Sequence, residues 1–156
     1  MSFTVSLKVE REFETVASSA KVFELLSDVP KSASCFPDVE SLEDLGGNTY
    51  RWTMEKIAIG EQTLQQTIYA CLYHSDAALL NVIWTPVEGE GNALVEGKWS
   101  ITEREKGSAV TLKTTGKLFV DLPGFLQFLL SPMIVFAFTQ KIDRYIINLK
   151  EALSQL

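Results

Sequence analysis

The 156-residue sequence holds one histidine, two cysteines and five prolines, and it has no excess of positive charge. Each scarcity removes a class of function. With fourteen Lys and Arg against twenty Asp and Glu, the formal net charge is -6. The basic residues are scattered among glutamates, so no cationic face is available for nucleic-acid phosphates. Cys35 and Cys71 lie too far apart for a CxxC pair, and His74 has no His or Cys neighbour at ligand spacing. We therefore expect no metal site, no cofactor, and two reduced thiols in a cytoplasmic protein. The start, MSFTVSLKVERE, alternates polar and apolar residues and lacks the apolar run of an export signal. No catalytic residue is assigned, because His74 has no acid or nucleophile that spacing can pair with it.

What is present is a 46% hydrophobic chain with 22% charged residues, which suits a single domain over 1–156. Odd positions Phe3, Val5, Leu7, Val9 and Phe13 are apolar and even positions polar, the period-two pattern of a half-buried strand. Arg11 interrupts that face, and a surface position at the strand end is its expected setting. Ser18 or Ser19 can cap a helix bearing Val22, Leu25, Leu26 and Val29 on one side, and Pro30 opens a second short one. After FPDV come runs separated by turn signals: VESLEDL, TYRWTMEKIAI, QTLQQTIYACLYH, LLNVIWTPV, ALVEGKWSITERE and AVTLKTTGKLFV. Together they predict an antiparallel meander. The acidic residues Asp38, Glu40, Glu43 and Asp44 read as a solvated face.

From Lys141 onward, Ile142, Tyr145, Ile146, Leu149 and Leu153 form the stripe of an amphipathic helix. Ser131 can cap it and Pro132 suits its first turn, which leaves Leu122 to Leu130 as a separate short segment. A long terminal helix can cover one apolar face of a seven-stranded sheet. The expected fold class is α+β: a helix-grip arrangement, β-α-α-β6-α, with a curved antiparallel sheet wrapped around the C-terminal helix.

That order of elements, with FPDVESLEDLGGNTYRW and GEGNALVEGKWSITE, resembles the START-like (Bet v 1-like, SRPBCC) superfamily. Within it the chain is most similar to the carbon monoxide dehydrogenase G-like and polyketide cyclase-like families. The positions that carry the likeness are Pro37, Val39, Glu40, Ser41, Leu42 and Glu43, then Gly89, Gly91, Gly97 and Thr102. The resemblance implies an apolar cavity between sheet and helix for a lipid-, quinone- or polyketide-like molecule. It also implies, as alternatives, a cyclase or dehydratase in the same cavity or an adaptor docking an oxidoreductase partner at a membrane.

Strand alternation nominates the wall of that cavity. The expected ligand-binding side chains are Trp52 and Met54, then Leu64, Gln66 and Ile68, then Leu80, Val82 and Trp84. Val95, Trp99, Leu112 and Thr114 complete the sheet side, with Gln66 and Thr114 as candidates to orient a polar end. Phe125, Phe128, Leu129, Met133 and Phe136 are expected to close it from above. These last come from Leu122 to Phe138, a stretch without any charge. As a helix it would span about 26 Å, short of a hydrocarbon core of about 30 Å. A cavity wall or lid is its first reading, a membrane-touching tip its second and a dimer contact its third; the oligomeric state stays open.

Overall fold

The computed structural model describes residues 2–155, with the side chains of Ile59 and Leu64 outside the described set. Strand β1 (Phe3–Thr15) leads through Ser18, whose hydroxyl accepts from the Lys21 N–H at 3.3 Å, into α1 (Ser19–Ser27). Asp28 likewise caps α2 (Val29–Ala33), with Pro30 in its first turn. Then follow β2 (Val39–Gly46), β3 (Thr49–Met54), β4 (Ile57–Ile59), β5 (Gln62–Gln65) and β6 (Ile68–Asp76). Strands β7 (Asn81–Val87), β8 (Ala93–Arg104) and β9 (Gly107–Val120) complete the sheet, and α3 (Gln127–Ser154) closes the chain after a 3-10 turn at Gly124–Leu126.

Seven strands pair antiparallel in the order β1-β9-β8-β7-β6-β3-β2. The β2–β3 hairpin turns at Gly47 and Asn48, both at positive φ (59° and 63°), the geometry whose twist suits tight hairpins. Pairing runs the full length of β1 against β9, from Phe3 opposite Val120 to Thr15 opposite Ser108.

Two expectations need correction. The runs Thr49–Ile59 and Gln62–His74 do not form one long hairpin; each breaks, and their outer parts pair separately as β4 and β5. The break is held by Asn92 in the β7–β8 turn. Its side chain accepts from the Ile68 N–H at 2.8 Å and donates to the Gln66 carbonyl at 2.7 Å, so the backbone at Gln66–Ile68 is satisfied outside a strand ladder.

The second correction concerns Ser131, which caps nothing. Helix α3 begins at Gln127 and runs through Pro132. The proline lacks an N–H, so the Phe128 carbonyl loses its helical donor, a defect tolerated near the helix start where Pro132 faces outward.

The core divides into three clusters. The largest joins α1, the central strands and the C-terminal half of α3 around Val22, Trp99 and Leu149. A second packs Leu130, Ile134 and Phe138 of α3 on Val5, Leu118 and Val120. A third places α2 over Trp52 and Met54. Tyr69 borders all three.

Polar ties reinforce the grip. Arg11 points toward the helix and forms a two-pronged pair with Asp143, Nε to Oδ1 at 2.6 Å. Asn148 donates to the Cys35 carbonyl at 2.8 Å, and Lys141 pairs with Asp38.

Candidate functional site

Where the three clusters fail to meet, a cavity of about 100 Å³ remains between sheet and helix. A water needs roughly 10–15 Å³ on the same measure, so the space suits a guest of on the order of ten non-hydrogen atoms. Among the described residues no charged side chain lines it.

Aromatic side chains dominate the wall. Trp52 meets Phe36 (5.9 Å between ring centres), Phe36 meets Tyr145 (4.9 Å) and Tyr145 meets Trp99 (5.9 Å). Trp99 meets Trp84 (6.4 Å), which meets Tyr73 (6.1 Å). The Tyr73 hydroxyl accepts from Trp52 Nε1 at 2.9 Å and so closes the circuit. Tyr69 stacks on Trp52 from inside the sheet, centres 5.9 Å apart and planes 10° from parallel. Tilted and edge-on contacts of this kind hold each ring's orientation beyond what burial alone does.

Glycine makes room for one of these rings. Gly97 lies under the Trp84 indole, and a Cβ there would strike the ring and come within 2.7 Å of the Lys113 carbonyl. Gly116, opposite Leu7 in β1, also lines the cavity, but a Cβ there would find only ordinary contacts, the nearest Leu7 Cγ at 3.6 Å.

The wall's hydroxyls belong to Ser32, Thr67, Thr114 and the three tyrosines. Thr114 donates to the Glu96 carbonyl at 2.8 Å, Thr67 accepts from Gln65 at 3.5 Å, and Ser32 pairs with Tyr145. Burial pushes the phenols of Tyr69, Tyr73 and Tyr145 above their usual pKa, so all three are neutral at neutral pH. Burial also lifts the Cys71 thiol, which donates to the Val95 carbonyl, to about 12. The site therefore offers shape, π-faces and neutral hydrogen bonds, with no ionised acid or base. His74 stands exposed on β6, away from this wall.

Eight of the side chains nominated from alternation line the cavity: Trp52, Met54, Val82, Trp84, Val95, Trp99, Leu112 and Thr114. Into and along β6, from Gln66 to Tyr73, the expected parity is inverted. Thr67, Tyr69 and Tyr73 face inward, while Ile68 is off the wall and Gln66 donates outside it to Glu40 and to the Met54 carbonyl. Leu80 packs beside the main cluster but does not reach the cavity, and the Leu64 side chain lies outside the described residues.

The largest departure is above the sheet. Phe125 (79% exposed), Phe128 (94%), Leu129, Met133 and Phe136 point to solvent, and the helix covers the cavity with Phe138, Ile142 and Tyr145 instead. The wall also takes Leu7 and Leu118 from the strands, Leu26 and Val29 from the helical stripe, and Phe36, which no periodicity singles out.

A seven-stranded antiparallel sheet gripping a long C-terminal helix around an internal cavity defines a START-like, Bet v 1-like fold. Solved structures agree. A protein from Thermus thermophilus superposes with a TM-score of 0.71 at 21% identity, over 95% of this chain and 96% of that one. A START superfamily protein from Mycobacterium smegmatis gives 0.63 at 16% identity, over 95% and 97%. An aromatase/cyclase from a Streptomyces species gives 0.59 at 16%, over 96% and 92%. At these identities the likeness is one of fold. No protein-family model and no curated protein sequence matches the chain.

Proposed function

We propose that the protein binds and carries a neutral, ring-bearing hydrophobic molecule without altering it. The observation that carries this reading is the closed aromatic circuit around unfilled space with no charge on the wall. A well-packed core leaves few voids larger than a water, so an aromatic-walled space of this size is costly unless a guest uses it. A charged guest would lose its hydration and find no counter-ion, which excludes ionised ligands. A quinone-type or other single-ring head fits the volume; a long acyl chain or a polycyclic polyketide requires the cavity to widen.

The proposal places the carrier in the cytoplasm and includes the finer resemblance to the carbon monoxide dehydrogenase G-like family, which rests on Pro37 and Val39 to Glu43. Cyclase activity belongs to the Streptomyces neighbour, and here the wall presents hydroxyls but no acid–base pair.

Titration of tryptophan fluorescence with neutral one- and two-ring aromatics, with benzoate as ionised control, tests the proposal. Saturable one-to-one quenching by the neutral compounds and none by benzoate is the expected result. Emission unchanged by every neutral compound, with no adduct in native mass spectrometry, overturns it.

A further inference from the structure

The structure assigns the hydroxyl of Tyr69 as the cavity's polar anchor, donating a hydrogen bond to a carbonyl-type oxygen of the bound molecule. This rests on the carrier reading and specifies its ligand class. Of the six hydroxyls on the wall, five have partners within the protein. Among the described residues, only the Tyr69 hydroxyl of that wall makes no hydrogen bond. A hydroxyl that faces the cavity without a protein partner is met there by a ligand or by water.

Two observations describe the setting of Tyr69. Protein atoms surround Tyr69 closely enough for burial to push its pKa well up, yet the residue keeps accessible surface. Both hold when the accessible surface is that of the cavity it lines. Its ring is fixed by stacking on Trp52, which Tyr73 holds in turn. A neutral phenol donates well, and with no cation on the wall the acceptor must be an uncharged oxygen, as in a ketone, aldehyde or quinone.

Acetophenone and α-methylstyrene have nearly the same shape and differ in carrying C=O or C=CH2. Tyr69→Phe is expected to weaken acetophenone about tenfold, equivalent to roughly 1.4 kcal/mol, and to leave α-methylstyrene unchanged. The bound ketone's infrared carbonyl band should shift to lower frequency in the wild-type protein; this readout needs no variant. Equal effects on both compounds, or an unshifted band, overturn the anchor while the carrier reading stands. Binding of neither compound removes both.

A separate observation concerns the outer face of α3. We propose that it pairs with the same face of a second copy of this chain. Phe125 of the preceding 3-10 turn and Phe128, Leu129, Met133 and Phe136 of α3 are all exposed, and no charged residue occurs between Asp121 and Lys141. With roughly 150–250 Å² available per aromatic side chain, the stripe offers on the order of 600 Å². A standard interface takes about 800 Å² per partner. Depletion of charge and enrichment in Phe and Met are the marks of a homodimer core. A lipid-surface helix would carry Lys or Arg beside its apolar face, and a chain of net charge -6 is repelled by anionic lipid.

The stripe is centred between Leu130 and Ser131, so an antiparallel two-fold arrangement sets Phe125 of one copy against Phe136 of the other and Phe128 against Met133. Sedimentation equilibrium should give twice the 17.4 kDa chain mass, with Phe128→Glu restoring the monomer and keeping aromatic-ligand binding. A wild-type monomer overturns the pairing. So does a Phe128→Glu variant that remains dimeric, or flotation of the wild-type protein with phosphatidylcholine vesicles.

Discussion

Two glycines separate what holds the aromatic circuit from what fills it. Gly97 gives the Trp84 indole its seat, so Gly97→Ala forces the ring or the β9 backbone at Lys113 to move. A loss of about 1–3 kcal/mol is expected from such overpacking, read as a lower midpoint in urea. Gly116→Ala meets no obstacle; it adds a methyl to the cavity wall and should weaken the largest bound aromatics while leaving the urea midpoint nearly unchanged. The residue scale is also where sequence reasoning is weakest. On β6 both parities are apolar, Ile68, Ala70 and Leu72 against Tyr69, Cys71 and Tyr73, so alternation alone cannot say which side faces in. The pairing of β6 with β3 and β7 fixes which side faces in, and Asn92 binds Gln66 and Ile68 where that strand begins, contacts that no periodicity reveals.

At the scale of elements the strands were legible because polar and apolar residues alternate along one well-marked face, as in β1. Helix α3 was half legible. Its C-terminal half has one apolar stripe and one polar side, whereas Phe125–Phe138 is apolar all round, so periodicity cannot distinguish its inner face from its outer. The structure shows both faces in use: Leu130, Ile134 and Phe138 packed inward, Phe128 and Phe136 unburied. Pro132 sits within this half of the helix. Pro132→Ala restores the N–H that reaches the Phe128 carbonyl, and a gain of about 1 kcal/mol follows, because the defect lies near a helix end where the penalty is below the roughly 3 kcal/mol of an interior proline. In a chain of this length that is a rise of about 2–4 °C in Tm. The Arg11–Asp143 pair, by contrast, joins helix to sheet at side chains 36% and 48% exposed. Breaking it with Arg11→Ala should cost under about 1 kcal/mol, and less in high salt.

For the molecule as a whole, the neutral cavity ties stability to alkaline pH. Tyr69, Tyr73, Tyr145 and Cys71 all have pKa values raised in the folded protein, each chiefly by burial. In the unfolded chain the thiol loses its proton near 9.0 and the phenols near 10.0. Above those values the unfolded state binds fewer protons than the folded one, so stability falls as pH rises. Below about pH 9 the contribution is fully present. Between 9 and about 12, Cys71 alone removes on the order of 1.4 kcal/mol for each pH unit, and the phenols add to the slope from 10 upward. Urea unfolding at successive pH values should therefore show a flat region near neutrality and a steep decline beyond pH 9. Tyrosinate absorbance from the buried phenols should appear together with unfolding rather than ahead of it. Cys71→Ala should make the decline that begins near pH 9 shallower, because Cys35, whose thiol burial also raises, is then the group left to titrate ahead of the phenols. A wild-type midpoint that holds steady from pH 8 to 11 would mean these groups ionise in place, against the burial that raises them.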